Sequence, residues 1–474
     1  MSFTSPAFFV FLPAVILLYW VIPQKGRMPL LLAASYLFYA YYDIRLLVLI
    51  LITTLTTYLT GLTMRRSSSG NLRKRALILS FIVCLGLLFF FKYFHFAVDS
   101  TCSLLRLFGI TLSFDGFTIL LPMGISFYVF QTLSYSIDVY RHRVPAETSL
   151  GCYALFVVFF PQLVAGPIER PEQLLPQLRE LLTPNRAERC QGLRLLLRGY
   201  AKKVLIADTF AGYVTAAYSD IPDAGGAALL AATVLFAFQI YCDFSGYSDI
   251  ALGCAHLMGI RLSENFNHPY RAVTIRDFWR RWHISLTDWF RDYLYIPLGG
   301  NRKGLPRQCV NIFITFLMSG LWHGANLTYI IWGGIHGIYL VLETLLWKKK
   351  SLPDKWKLPA SILTFSLVCF AWIFFRAASV ADAGLIITSI FTNFMPQHLL
   401  LGLGAGFTDC IIIVLLLMLL PFIEKLPALS ASEEPGSTET HTFLLYLIII
   451  LTLVLGRILL LGTGGSSAFI YFEF

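Results

Sequence analysis

A histidine stands at position 323 inside a long apolar run, in the stretch Ser319-Gly-Leu-Trp-His-Gly-Ala-Asn326. A titratable ring in such surroundings costs free energy unless it is paired or used, and imidazole is the side chain suited to taking a proton from a hydroxyl near neutral pH. The small residues Gly320, Gly324 and Ala325 leave room for a substrate, and Trp322 and Asn326 are placed to orient one. A histidine that fastens two helices by a hydrogen bond fits the same pattern, so the residue alone leaves both readings open. His336, 13 residues on in a run broken by Gly333, Gly334 and Gly337, reads as a packing group or as one that supports a site residue from behind. The two histidines lack a third ligand at metal spacing, and no metal is expected.

A second group lies in the stretch Phe278-Trp-Arg-Arg-Trp-His-Ile-Ser-Leu286, where His283 is either an anion or substrate contact or an interfacial anchor. Arg280, Arg281 and Arg291 are candidate contacts for the phosphates of an anionic substrate. Acids also occur in apolar or small-residue surroundings: Asp138, Asp208, Asp243, Asp249 and Glu343. The segment Gln239 to Asp249, with Tyr241, Asp243, Ser245, Tyr247 and Ser248, is too polar to face lipid and must face protein or a cavity. Asp243 and Tyr247 are its candidate substrate contacts. Buried acids of this kind also serve as proton relays in transporters, the rival class.

The elements that must position these residues are membrane elements. Of 474 residues, 57% are hydrophobic, 15% aromatic and only 14% charged, with a mean hydropathy of +0.69. No soluble fold hides so much apolar surface, whereas a bilayer accepts it on the outside of a helix bundle. Disorder, collagen and coiled coil are excluded. The net charge of +10 resides in short basic stretches between apolar runs, the positive-inside arrangement, and not on one nucleic-acid-binding face. The nine scattered cysteines form no CxxC pair and read as small buried hydrophobes. No GxGxxG or GxxxxGK[ST] signature supports nucleotide hydrolysis.

The first run, Pro6 to Pro23, lacks preceding basic residues and a cleavage pattern, so it reads as a retained helix, with Lys25 and Arg27 in a cytoplasmic first loop. Runs from Leu30 to Tyr42 and Leu46 to Leu62 should be joined by a tight external turn at 42 to 45, followed by a basic loop over Met64 to Arg75. A helix over Ala76 to Phe91, a loop holding Asp99 and Asp115, and a run from Phe117 to Val139 follow. Cys152 to Pro176 carries Pro161, Gly166, Pro167, Pro171 and Pro176, too many breakers for a spanning helix; it is either a re-entrant element or a Pro-rich interfacial loop. Arg179 to Lys203, with seven basic residues among leucines, reads as a cytosol-facing amphipathic helix at the membrane surface. Helical runs at Val204 to Ala217 and Ala227 to Tyr241 precede a second cytosol-facing interfacial section, 261 to 307, with nine basic residues and Trp279, Trp282 and Trp289. If the basic ends Arg307 and Lys348 lie on one side with two crossings between them, His323 sits about 24 Å of helix from Arg307, deep in the protein. Runs at Ile362 to Phe375, Ala383 to Phe394, Thr408 to Pro421 and Thr442 to Leu460, with a solvent loop over Pro427 to Thr440, bring the expected total to ten to twelve membrane segments. No internal repeat favours a two-halved transporter.

Seven stretches, in order along most of the chain, carry a family resemblance: Leu121-Pro-Met-Gly-Ile-Ser-Phe-Tyr128, Phe160-Pro-Gln-Leu-Val-Ala-Gly-Pro-Ile168, Tyr241-Cys-Asp-Phe-Ser-Gly-Tyr-Ser-Asp249, Phe278 to Leu286, Tyr293-Leu-Tyr-Ile-Pro-Leu-Gly-Gly-Asn301, Ser319 to Asn326 and Phe469-Ile-Tyr-Phe-Glu-Phe474. Together they resemble the membrane-bound O-acyltransferase (MBOAT) family, in the subgroup that O-acetylates alginate, cellulose or peptidoglycan. The resemblance implies an all-α polytopic integral membrane protein, one MBOAT-type helix bundle over 1 to 474 with re-entrant segments and a central tunnel, in the bacterial inner membrane. It implies that His323 matches the catalytic histidine and His283 the second histidine of the motif. It further implies cytosolic acetyl-CoA as donor, a polysaccharide or peptidoglycan acceptor, and a periplasmic or membrane-anchored SGNH-type acetyltransferase as partner, with lipids but no nucleic acid around the chain. An acyl or solute transporter and a non-catalytic scaffold of an export complex are the alternatives.

Overall fold

The computed structural model describes residues 1–111, 121–346, 352–426 and Phe469, and among them every regular element is helical. Among the described residues six helices are long and apolar enough to cross a membrane: Ile44–Arg66, Gly70–Leu107, Gly226–His256, Leu327–Leu346, Asp354–Arg376 and Phe407–Glu424. Pro6–Val21 and Val380–Thr392 are shorter apolar helices. The protein is an all-α, polytopic membrane protein. Several of the ten to twelve expected segments are short, bent or too polar to join the six. Asp115, Lys348 to Lys350, the solvent loop and run expected over 427 to 460, and the terminal motif beyond Phe469 lie outside the described residues. The chain forms two compact units, Met1–Asn185 with Cys254–Ser263, and Arg186–Gly253 with Glu264–Phe474.

In the first unit, Ser5 caps Pro6–Val21 by accepting from the Phe8 amide at 3.3 Å, and Pro23 separates it from Gln24–Ala40. The expected first basic loop is therefore the start of a helix. Arg27 is buried, with Nη1 donating to the Leu181 carbonyl at 3.0 Å and Nη2 to Thr183 Oγ1 at 2.6 Å; a guanidinium whose donors find oxygens inside the protein has no need of the surface. The tight turn at 42 to 45 is present, closed by Asp43 accepting from the Arg45 amide at 2.8 Å. Leu47–Arg66 buries a threonine face whose hydroxyls at 53, 54, 57 and 60 return to carbonyls four residues back. Gly70–Leu88 continues through a π-helical turn, Phe89–Tyr93, into Phe94–Leu107, so Asp99, expected in a loop, is on a helix.

The proline-rich segment resolves in favour of a buried broken element. Two short helices, Leu150–Val158 and Phe160–Leu163, lead into an irregular stretch, and residues 152–169 are all buried. Its polar groups find partners inside the unit: the Phe156 carbonyl accepts from Gln131 at 2.7 Å and Gln162 at 2.9 Å, and the Phe160 amide donates to Ser35 at 3.1 Å. Such internal satisfaction is what irregular backbone needs where water is excluded. At its end Glu169 accepts from the Ser263 amide at 2.6 Å and hydroxyl at 3.1 Å.

In the second unit, Arg186–Tyr200 buries one face, Gly192, Leu195 and Gly199, and leaves Arg186, Arg189 and Leu193 exposed. A Cβ on Gly199 would stand 2.5 Å from the Gly246 carbonyl oxygen, and one on Gly253 would stand 2.8 Å from that of Gly192, so this helix and Gly226–His256 meet backbone to backbone. A π-helical turn, Ala201–Ala207, then carries both Lys202 and Lys203 inward. The amphipathic reading fails for these two lysines because carboxylates await them inside. Gly226–His256 merges the expected run at Ala227 with the polar segment 239 to 249, whose side chains are buried in protein. Leu305–His323 and Leu327–Leu346 form a tight antiparallel hairpin: a Cβ on Gly320 would stand 2.2 Å from the Tyr329 oxygen, and one on Gly333 2.3 Å from that of Phe316.

Two outcomes follow from these packing facts. Gly199→Ala should lower stability by about 1–3 kcal/mol through backbone overpacking, whereas Gly212→Ala, with nothing within 4 Å, should not; unfolding in mixed micelles separates the two. Burial, only partly offset by the Ser263 hydrogen bonds, pushes the Glu169 carboxyl up to about 7. The folded chain then holds a proton that the unfolded chain releases, so stability falls as pH rises from the ordinary glutamate range through 7, by ~3 kcal/mol at most. Glu169→Gln should flatten that slope in unfolding curves recorded at pH 5 and 8.

Candidate active site

His323 is the last residue of Leu305–His323, and the chain breaks immediately after it at Gly324. Asn326 holds the break: its amide donates to the Ala378 carbonyl at 2.9 Å, while its oxygen accepts from the Thr328 amide at 3.1 Å. The histidine is thus fixed at the tip of the glycine hairpin, 3% exposed. Aromatic rings wall it, with centroids of Trp322 and Trp332 at 5.0 Å and Phe375 at 5.4 Å. At a helix C-terminus the macrodipole favours the positive charge an imidazole acquires on taking a proton.

His283 arrives from another element, with its ring centroid 6.5 Å from that of His323. It precedes the helix Ile284–Phe290 in a left-handed conformation, φ 43°, ψ 54°. A non-glycine residue adopts that basin at a cost of roughly 1 kcal/mol, and such strain clusters at functional sites. Here the main chain is held because the Ile284 amide donates to the Asn265 carbonyl at 3.0 Å and the Asn267 amide to that of Arg281 at 2.9 Å. The ring packs edge-on against Phe244 at 4.7 Å and Trp322 at 6.1 Å. Burial pushes its pKa down to about 3, so the ring is neutral at physiological pH. Two imidazoles brought together from Phe278–Leu286 and Ser319–Asn326, in an aromatic enclosure that excludes water, can pass a proton between substrate atoms.

On the other side of Asn265 a polar cavity of about 170 Å³ is lined by Arg198, Lys202, Tyr241, Ser248, Asp249 and Glu424, among others. The hydroxyls of Ser245 and Ser248 and Nδ2 of Asn265 are buried there with no hydrogen-bond partner among the described residues. Tyr241 donates to Glu424, whose second oxygen lies 2.7 Å from His268 Nδ1.

The remaining expected site residues divide. Asp243 does not face the histidines; it is buried 2.7 Å from Lys203 Nζ, which also meets Asp208 at 3.0 Å. Tyr247 stacks on Phe469 at 4.6 Å. Arg280 is exposed, Arg281 is bound to Asp277 at 2.9 Å, and Arg291 to Asp288 at 2.6 Å and Asp292 at 2.8 Å. His336 is buried and accepts from Trp279 Nε1 at 3.3 Å. Sequence reasoning passed over Asn265, Lys202 and Glu424; a buried lysine inside a basic run and an asparagine inside a polar section carry no periodic signal. Among the described residues no group of three or more His, Cys, Asp or Glu could hold a metal ion.

The sequence profile of the membrane-bound O-acyltransferase family matches residues 31–381. The chain is 38% identical to a probable alginate O-acetylase AlgI of Pseudomonas putida, over 100% of both chains. It is 42% identical to the Pseudomonas aeruginosa protein of the same name over 83% of this chain and 75% of that one. To a peptidoglycan O-acetyltransferase of Helicobacter pylori it is 34% identical, covering 80% of this chain and 78% of the relative.

The ion pairs beside the site give a direct test of its scaffold. Lys203→Met would take the lysine charge away from the buried Asp208 and Asp243 and should cost about 3–5 kcal/mol. The triple variant Lys203→Met, Asp208→Asn, Asp243→Asn should recover most of it, as read by unfolding in detergent.

Proposed function

The chain belongs to the membrane-bound O-acyltransferase family, and on that premise we propose that it moves acetyl groups from cytosolic acetyl-CoA through the membrane toward hydroxyls of an extracytoplasmic polysaccharide or peptidoglycan. The observation that carries the reading is the buried pair His323 and His283, 6.5 Å apart between ring centroids within one compact unit. In this reading the chain resides in a bacterial inner membrane and works with a periplasmic or membrane-anchored SGNH-type acetyltransferase that completes delivery to the polymer.

The acetyl thioester is already activated, so the protein's task is positioning and proton handling. The acceptor oxygen forms a bond to the carbonyl carbon, the carbon–sulfur bond breaks, and the hydroxyl proton passes by way of imidazole to the departing thiolate, leaving an acetyl ester and free coenzyme A. His323 takes the proton, and neutral His283 stands beside it as second acceptor and donor. Trp322 shapes the enclosure, and Asn326 keeps the hairpin tip in place. Arg280, Arg281 and Arg291 supply positive potential for the coenzyme phosphates, with exposed Arg280 the one open to direct contact. Dry aromatic walls also protect the thioester from hydrolysis.

Acyl transfer is favoured over ion-coupled transport by the state of the buried acids. Asp208 and Asp243 meet Lys203, Asp249 meets Arg198 and Lys202, Asp138 lies 3.6 Å from Arg143 and Glu343 lies 3.7 Å from Arg276. Each of these five lies beside a cation, and the buried acid that is pushed up to about 7, Glu169, belongs to the unit that does not hold the two histidines.

The test is transfer of labelled acetyl and release of coenzyme A in membranes holding this chain with its candidate partner. His323→Ala should lower transfer by about 10²- to 10⁴-fold, the usual worth of a positioned acid–base group, at unchanged protein level. Undiminished transfer by that variant would move the chemistry to the partner and end the proposal.

A further inference from the structure

Asn265 is 2% exposed; its main-chain carbonyl accepts from the Ile284 amide and its side chain meets His283. Its side-chain oxygen accepts from the Ser285 amide at 3.2 Å and from the Ser285 hydroxyl at 3.0 Å. A backbone N–H can only donate, so the atom facing residue 285 is the oxygen and the orientation of this amide group is determined. Nδ1 of His283 lies 3.1 Å from that same oxygen. The oxygen cannot donate, so Nδ1 must carry the hydrogen. In a neutral imidazole the lone pair then belongs to Nε2.

We infer that Asn265 is a positioning residue for His283: its side-chain oxygen holds the Nδ1–H and thereby leaves Nε2 as the atom that exchanges the proton during acyl transfer. The inference rests on the reading of His283 as part of the acyl-transfer pair. The same side chain restrains the left-handed turn at residue 283, where the Asn265 main chain already accepts from Ile284. Around the ring, Phe244, Phe266 and Trp322 do not ionise, and His323, with its centroid at 6.5 Å, is a titratable neighbour among the described residues. Beyond Asn265, the cavity carries Arg198, Lys202, Asp249, Glu264, His268 and Glu424. Asn265 lines that cavity and also holds the imidazole, so one residue borders both.

Two measurements test this, one of them independent of activity. In the ¹⁵N spectrum of histidine-labelled protein in detergent, with His283 assigned by its loss in His283→Asn, the wild-type ring should be the Nδ1–H tautomer; an Nε2–H tautomer would overturn the inference even if no Asn265 variant folds. In membranes made permeable so that both faces meet the buffer, with labelled acetyl-CoA as probe, Asn265→Ala should lower kcat roughly 10- to 100-fold with KM for the donor unchanged, the range seen when the partner orienting a functional imidazole is lost. Asn265→Asp places a carboxylate against Nδ1–H, which favours imidazolium. The acidic limb of its pH–rate profile should therefore move to higher pH, a shift that a merely structural role would not produce. An unmoved limb in a folded Asn265→Asp protein counts against the assignment. Full transfer by His283→Asn would instead remove the catalytic reading of His283 while leaving the tautomer result to stand.

Discussion

Charge neutrality inside an apolar bundle is the constraint on which the second unit is built. From one stretch of helix Arg198 and Lys202 meet Asp249, and Lys203 meets Asp208 and Asp243, so three cations answer three buried carboxylates in two clusters. Burying any of these charges alone would cost several kcal/mol, and the clusters are tolerable only because every ion has a partner. That requirement explains the local irregularities. A regular α-helix turns successive residues about 100° apart, whereas the π-helical turn at Ala201–Ala207 lets Lys202 and Lys203 both reach inward. The glycine contacts at 192, 199, 246 and 253 bring the two backbones close enough for the side chains to span.

From that fixed lattice the Gly226–His256 helix extends past the polar cavity, and Phe244 on its inner face supports His283. The glycine hairpin delivers His323 from elsewhere in the unit to the same enclosure. Neither histidine is held by a long flexible arm: one ends a helix, and the other begins one. Both are fixed by the backbone of the helix ends that carry them.

Much of this was legible in the residues, for identifiable reasons. His323 stood out because a titratable ring, small neighbours and a chain break coincide, and those same small residues make the hairpin. The turn at 42 to 45 and the buried character of Gln239 to Asp249 were readable because polarity and hydropathy disagreed there. Lys202 and Lys203 were misread because a basic run looks alike whether its charges meet water or distant acids; Asp208, Asp243 and Asp249 come into reach only after folding. Arg27 failed for the same reason, its acceptors lying at Leu181 and Thr183. Asn265 was invisible since nothing local distinguishes an amide group that will accept three hydrogen bonds from one that will face solvent.

The left-handed backbone at His283 bears on how this site can change over generations. Besides glycine, asparagine and aspartate enter that basin with least cost, and among the replacements one nucleotide change can make from a histidine codon, only those two are well suited to it. Tyrosine, glutamine, leucine and arginine are equally near in the code but bring backbone strain along with any change of chemistry. Drift at this position is therefore channelled by main-chain geometry before selection on acyl transfer acts at all. A lineage that swaps the imidazole for a tyrosine hydroxyl would first have to rebuild the turn, whereas aspartate enters it as it stands.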